Sequence, residues 1–131
     1  MATRGISYEE VRRISRGFPG IEESTSYGTP ALKVQGKLLT RLKEDGKTLV
    51  VRTTFIDRDL LIQSDPSVYF FTDHYRNYPY VLVRLELAEL DDLRERLEDA
   101  WRRSASKKVL AAYDARAPHA PGKRSVRTRK G

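Results

Sequence analysis

"KLLTRLKEDGKTLVVRTTF", Lys37 to Phe55, is the stretch on which the fold turns. Two alternating runs flank Asp45-Gly46. Asp-Gly between such runs signals a hairpin, because both central residues of a type I′ turn need positive φ. Pairing across that turn sets Leu42 opposite Leu49 and Thr40 opposite Val51. Leu38, Leu42, Leu49 and Val51 then share one face. Arg41, Lys43 and Arg52 share the other, with Leu39 and Val50 between them. One face is therefore expected to be buried and the other to be basic without being purely polar.

Upstream, "ALKV" is separated from this stretch by Gln35-Gly36. A strict two-residue loop there would turn Leu32 and Val34 to the basic face, so a bulge or a longer loop is expected. The preceding "IEESTSYGTP" is polar and rich in turn formers, and reads as a connector. Before it, Ser7-Tyr8-Glu9-Glu10 has capping-box spacing, Tyr8, Val11 and Ile14 follow at helical spacing, and "GFPG" ends a helix over about residues 7–17. Downstream, "DRDLLIQSDP" predicts a short helix with Asp57 as its N-cap, ending before Pro66. "YFFT" and "YVLVRLEL" predict two strands joined by "DHYRNYP". Leu90, Leu93, Leu97, Ala100 and Trp101 form an apolar stripe that predicts a helix over 89–104. Ser106 is placed to cap a last short helix carrying Val109, Leu110 and Tyr113.

Adjacent strands with tight turns imply an antiparallel sheet. The expected fold is α+β, a two-layer sandwich of a five-stranded antiparallel sheet with helices packed on one face, in the order α-βββ-α-ββ-α-α. At 131 residues the chain fits a single domain, here residues 1–117. Residues 118–131, rich in Pro, Gly and basic side chains, read as a disordered tail.

The formal net charge is +7, with 33% charged and 39% apolar residues. Five of the 25 basic residues, Lys123, Arg124, Arg127, Arg129 and Lys130, lie in the tail with no acid among them. The remaining 20 basic and 18 acidic residues leave residues 1–117 at only +2. A basic tail suits either a polyanion partner or a solubilising end. Apolar runs are far shorter than the roughly 20 residues that span a bilayer, and the N-terminus lacks the apolar stretch of a signal peptide. There are no cysteines, so disulfides, thiolate metal sites and cysteine nucleophiles are excluded. A cytoplasmic protein is expected.

Chemistry finds little support. His74 follows Asp73 in the inter-strand loop, which suggests a base and its orienter, but no nucleophile context such as G-x-S-x-G accompanies them. A solvent-facing loop histidine is the favoured reading. His119 lies in the tail, and no H-E-x-x-H or calcium-loop spacing occurs. Phosphate-loop and dinucleotide glycine patterns are also missing. No enzyme, metal or cofactor is expected.

Nucleic acid has more in its favour. Arg41, Lys43, Arg52 and Arg84 fall on the uncovered sheet face or its rims, Lys37 sits beside the first hairpin turn, and Arg76 projects between Tyr75 and Tyr78. Cations supply phosphate contacts and exposed rings supply stacking. The plain alternative is that these are ordinary surface charges, with Tyr75 and Tyr78 packed on the sheet.

"FPG", "EES", "YGTPALKVQGKLLTRL", the "DP" before the aromatic strand, "HYRNYPYVLVRL" and "AWRRSASKKVL" occur in this order over residues 6–113. The set resembles the MmcQ/YjbR family. The resemblance implies an α+β fold similar to frataxin-like and secretion-chaperone-like sandwiches. It also implies a DNA-binding protein with two hairpin wings, matching Val34-Gln35-Gly36-Lys37 and Asp73 to Pro79. Where the family prefers tryptophan, this chain has Tyr80. The expected function is DNA binding through the sheet face, the wings and the tail. The rival is a protein-interaction or chaperone-like module, used as a homodimer, whose open face would present Leu39, Val50 and Leu82.

Overall fold

In a computed structural model, described here for residues 5–116, the chain forms four helices and one six-stranded antiparallel sheet. Helix α1 is Tyr8–Ser15, followed by strands β1 (Ile21–Ser26), β2 (Thr29–Val34), β3 (Lys37–Leu42) and β4 (Thr48–Arg52). Helix α2 (Phe55–Ser64), strand β5 (Tyr69–Phe70), a single 3-10 turn (Asp73–Tyr75) and strand β6 (Tyr80–Arg84) come next. Helices α3 (Leu90–Ser104) and α4 (Lys107–Arg116) close the described chain. The strand order is β1-β2-β3-β4-β6-β5. The boundary expected at residue 117 and the tail beyond it lie outside the described residues.

The sheet has one strand more than expected. Ile21 to Ser26, read as a connector, is edge strand β1, paired along its length with β2 from Ile21↔Val34 to Ser26↔Thr29. Its polarity suits an edge position, where exposed polar side chains discourage further pairing. The signal for it was Tyr27-Gly28. Both residues have positive φ, 54° and 80°, as a two-residue type I′ turn demands.

Gln35-Gly36 repeats the same turn, with φ of 52° and 77° and Val34 opposite Lys37. The expected bulge is present: Leu32 faces Thr40 while Lys33 faces Leu38, leaving Leu39 as the extra residue. It returns Leu32 and Val34 to the core, and it exchanges two leucines. Leu39 is fully buried in the core, whereas Leu38, opposite Lys33, stands on the other face.

The β3–β4 register is the expected one, Leu42↔Leu49 and Thr40↔Val51. The connection is not the expected type I′ turn, because only Gly46 takes positive φ. Gly46 N–H closes on Lys43 O, and the Asp45 carboxylate accepts from Lys47 N, Thr48 N and Thr48 Oγ1. These bonds, the Lys47 amide first, hold the Asp45 carboxyl below its ordinary range.

The capping box of α1 forms as expected, Ser7 Oγ accepting from Glu10 N while Glu10 accepts from Ser7 N. Ser106 Oγ accepts from Val109 N at the start of α4. For α2 the cap is Thr54, whose hydroxyl accepts from Asp57 N, so the expected Asp57 cap is displaced by three residues. All four helices contribute to the core on one sheet face. Val11, Leu61, Leu93, Leu97, Trp101 and Leu110 pack with Leu32, Leu39, Leu49, Val51, Val81 and Val83. Trp101 is stacked on Phe18 at 5.3 Å, and its indole N–H donates to Pro19 O at 2.8 Å.

Candidate nucleic-acid interface

The second sheet face has its own small cluster. Val50 and Leu82 are fully buried beneath Tyr75, with Phe70, Phe71 and Tyr80 around them. The loop between β5 and β6 therefore folds back over the sheet instead of standing away from it. Leu39 belongs to the main core, so none of Leu39, Val50 and Leu82 is an open apolar surface.

This packing redistributes the expected site residues. Arg41 and Tyr75 are not surface groups. The Arg41 side chain is 3% exposed, donating to Tyr75 Oη at 3.1 Å and Glu44 Oε2 at 3.0 Å. Tyr75 fills the space over Val50 and Leu82, and neither is presented to a phosphate or a base. Lys37 is exposed but lies opposite Val34. Directly opposed antiparallel residues share a face, so Lys37 stands at the hairpin end on the helix side.

Lys43, Arg52 and Arg84 do occupy the second face. Lys43 Nζ lies 5.9 Å from the centre of the Tyr75 ring. Arg52 donates to Tyr80 Oη at 3.1 Å, so the hydroxyl at this position has a partner. The guanidinium of Arg84 lies 4.0 Å over Phe70 and donates to Ser67 O at 3.1 Å. All these partners are neutral. None of the three cations makes an ion pair among the described residues. Arg12, Arg96, Arg102 and Arg103, on the helix side, each have carboxylate partners. Thr48 faces Arg84 and Arg52 faces Tyr80. Arg52 and Arg84 are thus four residues apart along the strands, roughly 13 Å. Lys33, on the same face through its pairing with Leu38, is a further cation that the expected bulge could have revealed.

In the Asp73–Pro79 loop, Arg76 and Tyr78 are exposed, Tyr78 to 56%. Asp73 engages Arg76 at 2.5 Å. His74, exposed, sets its ring edge-on to Tyr75 at 4.7 Å. The Asp73 carboxylate thus serves the arginine and not the neighbouring histidine.

Arg58 is a residue of this site that no local sequence pattern marks. In α2 it looked like one charge among several in "DRDLLIQSDP". It is 5% exposed and donates to the carbonyls of Tyr75, Arg76, Tyr78 and Tyr80 at 2.9–3.2 Å. Its guanidinium lies 3.9 Å over Phe71. Burial pushes its pKa down from the ordinary arginine value, though a guanidinium stays charged at any physiological pH. Nothing in the sequence near Arg58 signals this role.

A cavity of about 320 Å³ opens between α2 and α3, floored by Val51, Leu61 and Val81. Its acids are already engaged, Asp57 by Arg103 and Asp99 by Arg96. Among the described residues no group of three or more His, Asp or Glu side chains converges as a metal site, and no helix is long and apolar enough to cross a membrane.

The YjbR family model matches residues 16–103. The chain belongs to the YjbR family. Two uncharacterised proteins, Rv2570 of Mycobacterium tuberculosis and Mb2600 of Mycobacterium bovis, are each 44% identical to it over 124 residues. In each case the alignment covers 82% of this chain and 95% of the relative. The crystal structure of Deinococcus radiodurans protein DR2400, with its DUF419 domain, superposes with a TM-score of 0.68. At 16% identity, over 86% of this chain and 91% of that one, it shows a shared fold. Of the two hairpin segments singled out in the sequence, the first is the tight Gln35-Gly36 turn and the second is the Asp73–Pro79 loop that Arg58 holds. Only the second brings exposed cationic and aromatic groups beside the cationic sheet face.

Proposed function

We propose that this YjbR-family chain binds DNA through the sheet face opposite its helices. Lys43, Arg52 and Arg84 contact phosphates, with Lys33 at the margin, and Arg76 and Tyr78 reach from the wing. The observation that carries this reading is that Arg52 and Arg84 are each held by a ring and a neutral oxygen, with no ion pair among the described residues, while Lys43 stands on the same face close to Glu44 and Asp45. Cations oriented by rings and neutral oxygens keep their charge available to a polyanion, and phosphate contacts release counterions. Arg41 and Tyr75 act beneath the surface, supporting it.

The test is fluorescence anisotropy of the full chain with labelled duplex and single-stranded DNA over a salt series. Two variants are compared: one with Lys43 and Arg84 changed to Glu, the other with Lys123, Arg124, Arg127, Arg129 and Lys130 changed to Gln. The face variant is expected to lose affinity by about tenfold or more, while the tail variant still binds with a shallower salt slope. Loss of all binding in the tail variant, with the fold intact by circular dichroism, overturns the assignment to the sheet face.

A further inference from the structure

We propose that Arg58 is the positioning residue of the Asp73–Pro79 wing, fixing through four backbone carbonyls the loop shape that presents Arg76 and Tyr78. Its bearing on affinity rests on the nucleic-acid reading above; its bearing on loop order does not.

A buried guanidinium that makes no ion pair is unfavourable unless its donors are well used. Here Nη1 donates to Tyr75 O, Tyr78 O and Tyr80 O, and Nη2 to Arg76 O, while Nε is buried without a partner, so the outer fork does the holding. These carbonyls leave a 3-10 turn and two tight turns, closed by Arg76 N to Asp73 O, Tyr78 N to Tyr75 O and Tyr80 N to Tyr78 O. Such chain reversals leave carbonyls pointing together, Tyr75 O and Tyr78 O with a second lone pair beyond the one the turn amide uses, and buried carbonyls need donors. One planar fork supplies several of them in fixed directions. The fork is itself held by Phe71 at 3.9 Å and Phe55 at 5.0 Å. Behind it, Leu61 and Ile62 pack α2 into the main core. The wing therefore stands on a helix anchored elsewhere, while Thr53 N donates to Pro79 O at its far end. A loop ordered before binding avoids the entropy cost of ordering on contact.

The distinction between charge and shape gives the test. Arg58→Lys keeps the charge and removes the fork. Hydrogen exchange of the full chain is expected to show the Arg76, Tyr78 and Tyr80 amides exchanging about tenfold faster in the variant, with β3 and β4 amides unchanged. In duplex-DNA anisotropy, Arg76→Gln is expected to weaken wild type about threefold or more and to have little further effect in the Arg58→Lys background, because a loosened wing no longer places that side chain. Phe71→Leu, which removes the stacking partner instead, should give the same pattern and serves if the lysine variant does not fold. Wing amides exchanging as in wild type overturn the proposal, as does a full Arg76→Gln effect in both backgrounds. Failure of wild type to bind any DNA overturns the nucleic-acid reading alone, since the exchange result still decides whether Arg58 orders the wing.

Discussion

Between Tyr27 and Tyr75, the Arg41 guanidinium donates to three acceptors at once: Ser26 O, Tyr75 Oη and Glu44 Oε2. Its charge is taken up inside the protein, and the ring of Tyr27 lies 5.0 Å away. Removing such a buried group leaves the tyrosine hydroxyl and a part-buried carbonyl without their donor. Arg41→Ala is therefore expected to destabilise the fold by about 2 kcal/mol, and Tyr75→Phe by about 1 kcal/mol. Urea unfolding checks both. If Arg41→Ala leaves the midpoint unmoved but weakens DNA binding, the side chain is a surface contact after all. Strand alternation correctly placed Arg41 opposite the helices. It carried no information that a loop thirty-odd residues on would fold over it, because Tyr75 reaches Arg41 through tertiary packing and not through strand pairing.

At the scale of elements, two residue-glycine turns set the register of β1, β2 and β3. Gln35 sits at φ 52°, a conformation that asparagine tolerates better than glutamine. Gln35→Asn is expected to raise stability by about 0.5 kcal/mol, read as a higher thermal midpoint. A lower midpoint would show that the glutamine side chain has a role the turn geometry does not explain. The register beyond this turn was legible in part. The mismatch between a two-residue loop and the positions of Leu32 and Val34 required an irregularity, and the bulge at Leu39 supplies it. Strict alternation puts Leu38 in the core and Leu39 outside it, and the bulge reverses the two, because both are equally apolar and only the bulge position decides. Strand β1 escaped for a different reason. An edge strand half exposed to water has a weak apolar period, and "IEESTS" satisfies loop and edge strand alike.

Across the whole molecule, the two layers are joined by a few polar contacts set in apolar surroundings. Tyr69 on β5 points into the helix layer and donates its hydroxyl to Asp92 Oδ2 on α3 at 3.0 Å. Burial first, and then the Asp92 charge, push its phenol well above the ordinary value of 10.0. The folded pKa lies above the unfolded one, so this contribution is complete below about pH 10 and is lost as pH rises toward the folded pKa. Stability is expected to fall between about pH 10 and about pH 11.5 by up to roughly 1.4 kcal/mol per pH unit from this group. Tyr69→Phe should be less stable at neutral pH and flatter across that window. Urea midpoints measured at intervals through the range decide it, and identical slopes in the two proteins would refute the assignment.

The sequence by itself determined the α+β class, the hairpin register of β3 and β4, the helix stripe of Leu93, Leu97 and Trp101, and the separation of Lys43, Arg52 and Arg84 from the core. Each follows from local periodicity or turn chemistry, which act between near neighbours in the chain. Only the tertiary structure decided which cations remain available. Arg41 is taken up by Tyr75 and Glu44, Lys37 is turned to the helix side by its pairing with Val34, and Arg58 is drawn under a loop seventeen or more residues away. Charge is a property of the residue, but its availability depends on the partners that long-range packing brings within hydrogen-bond reach, and no local pattern encodes those.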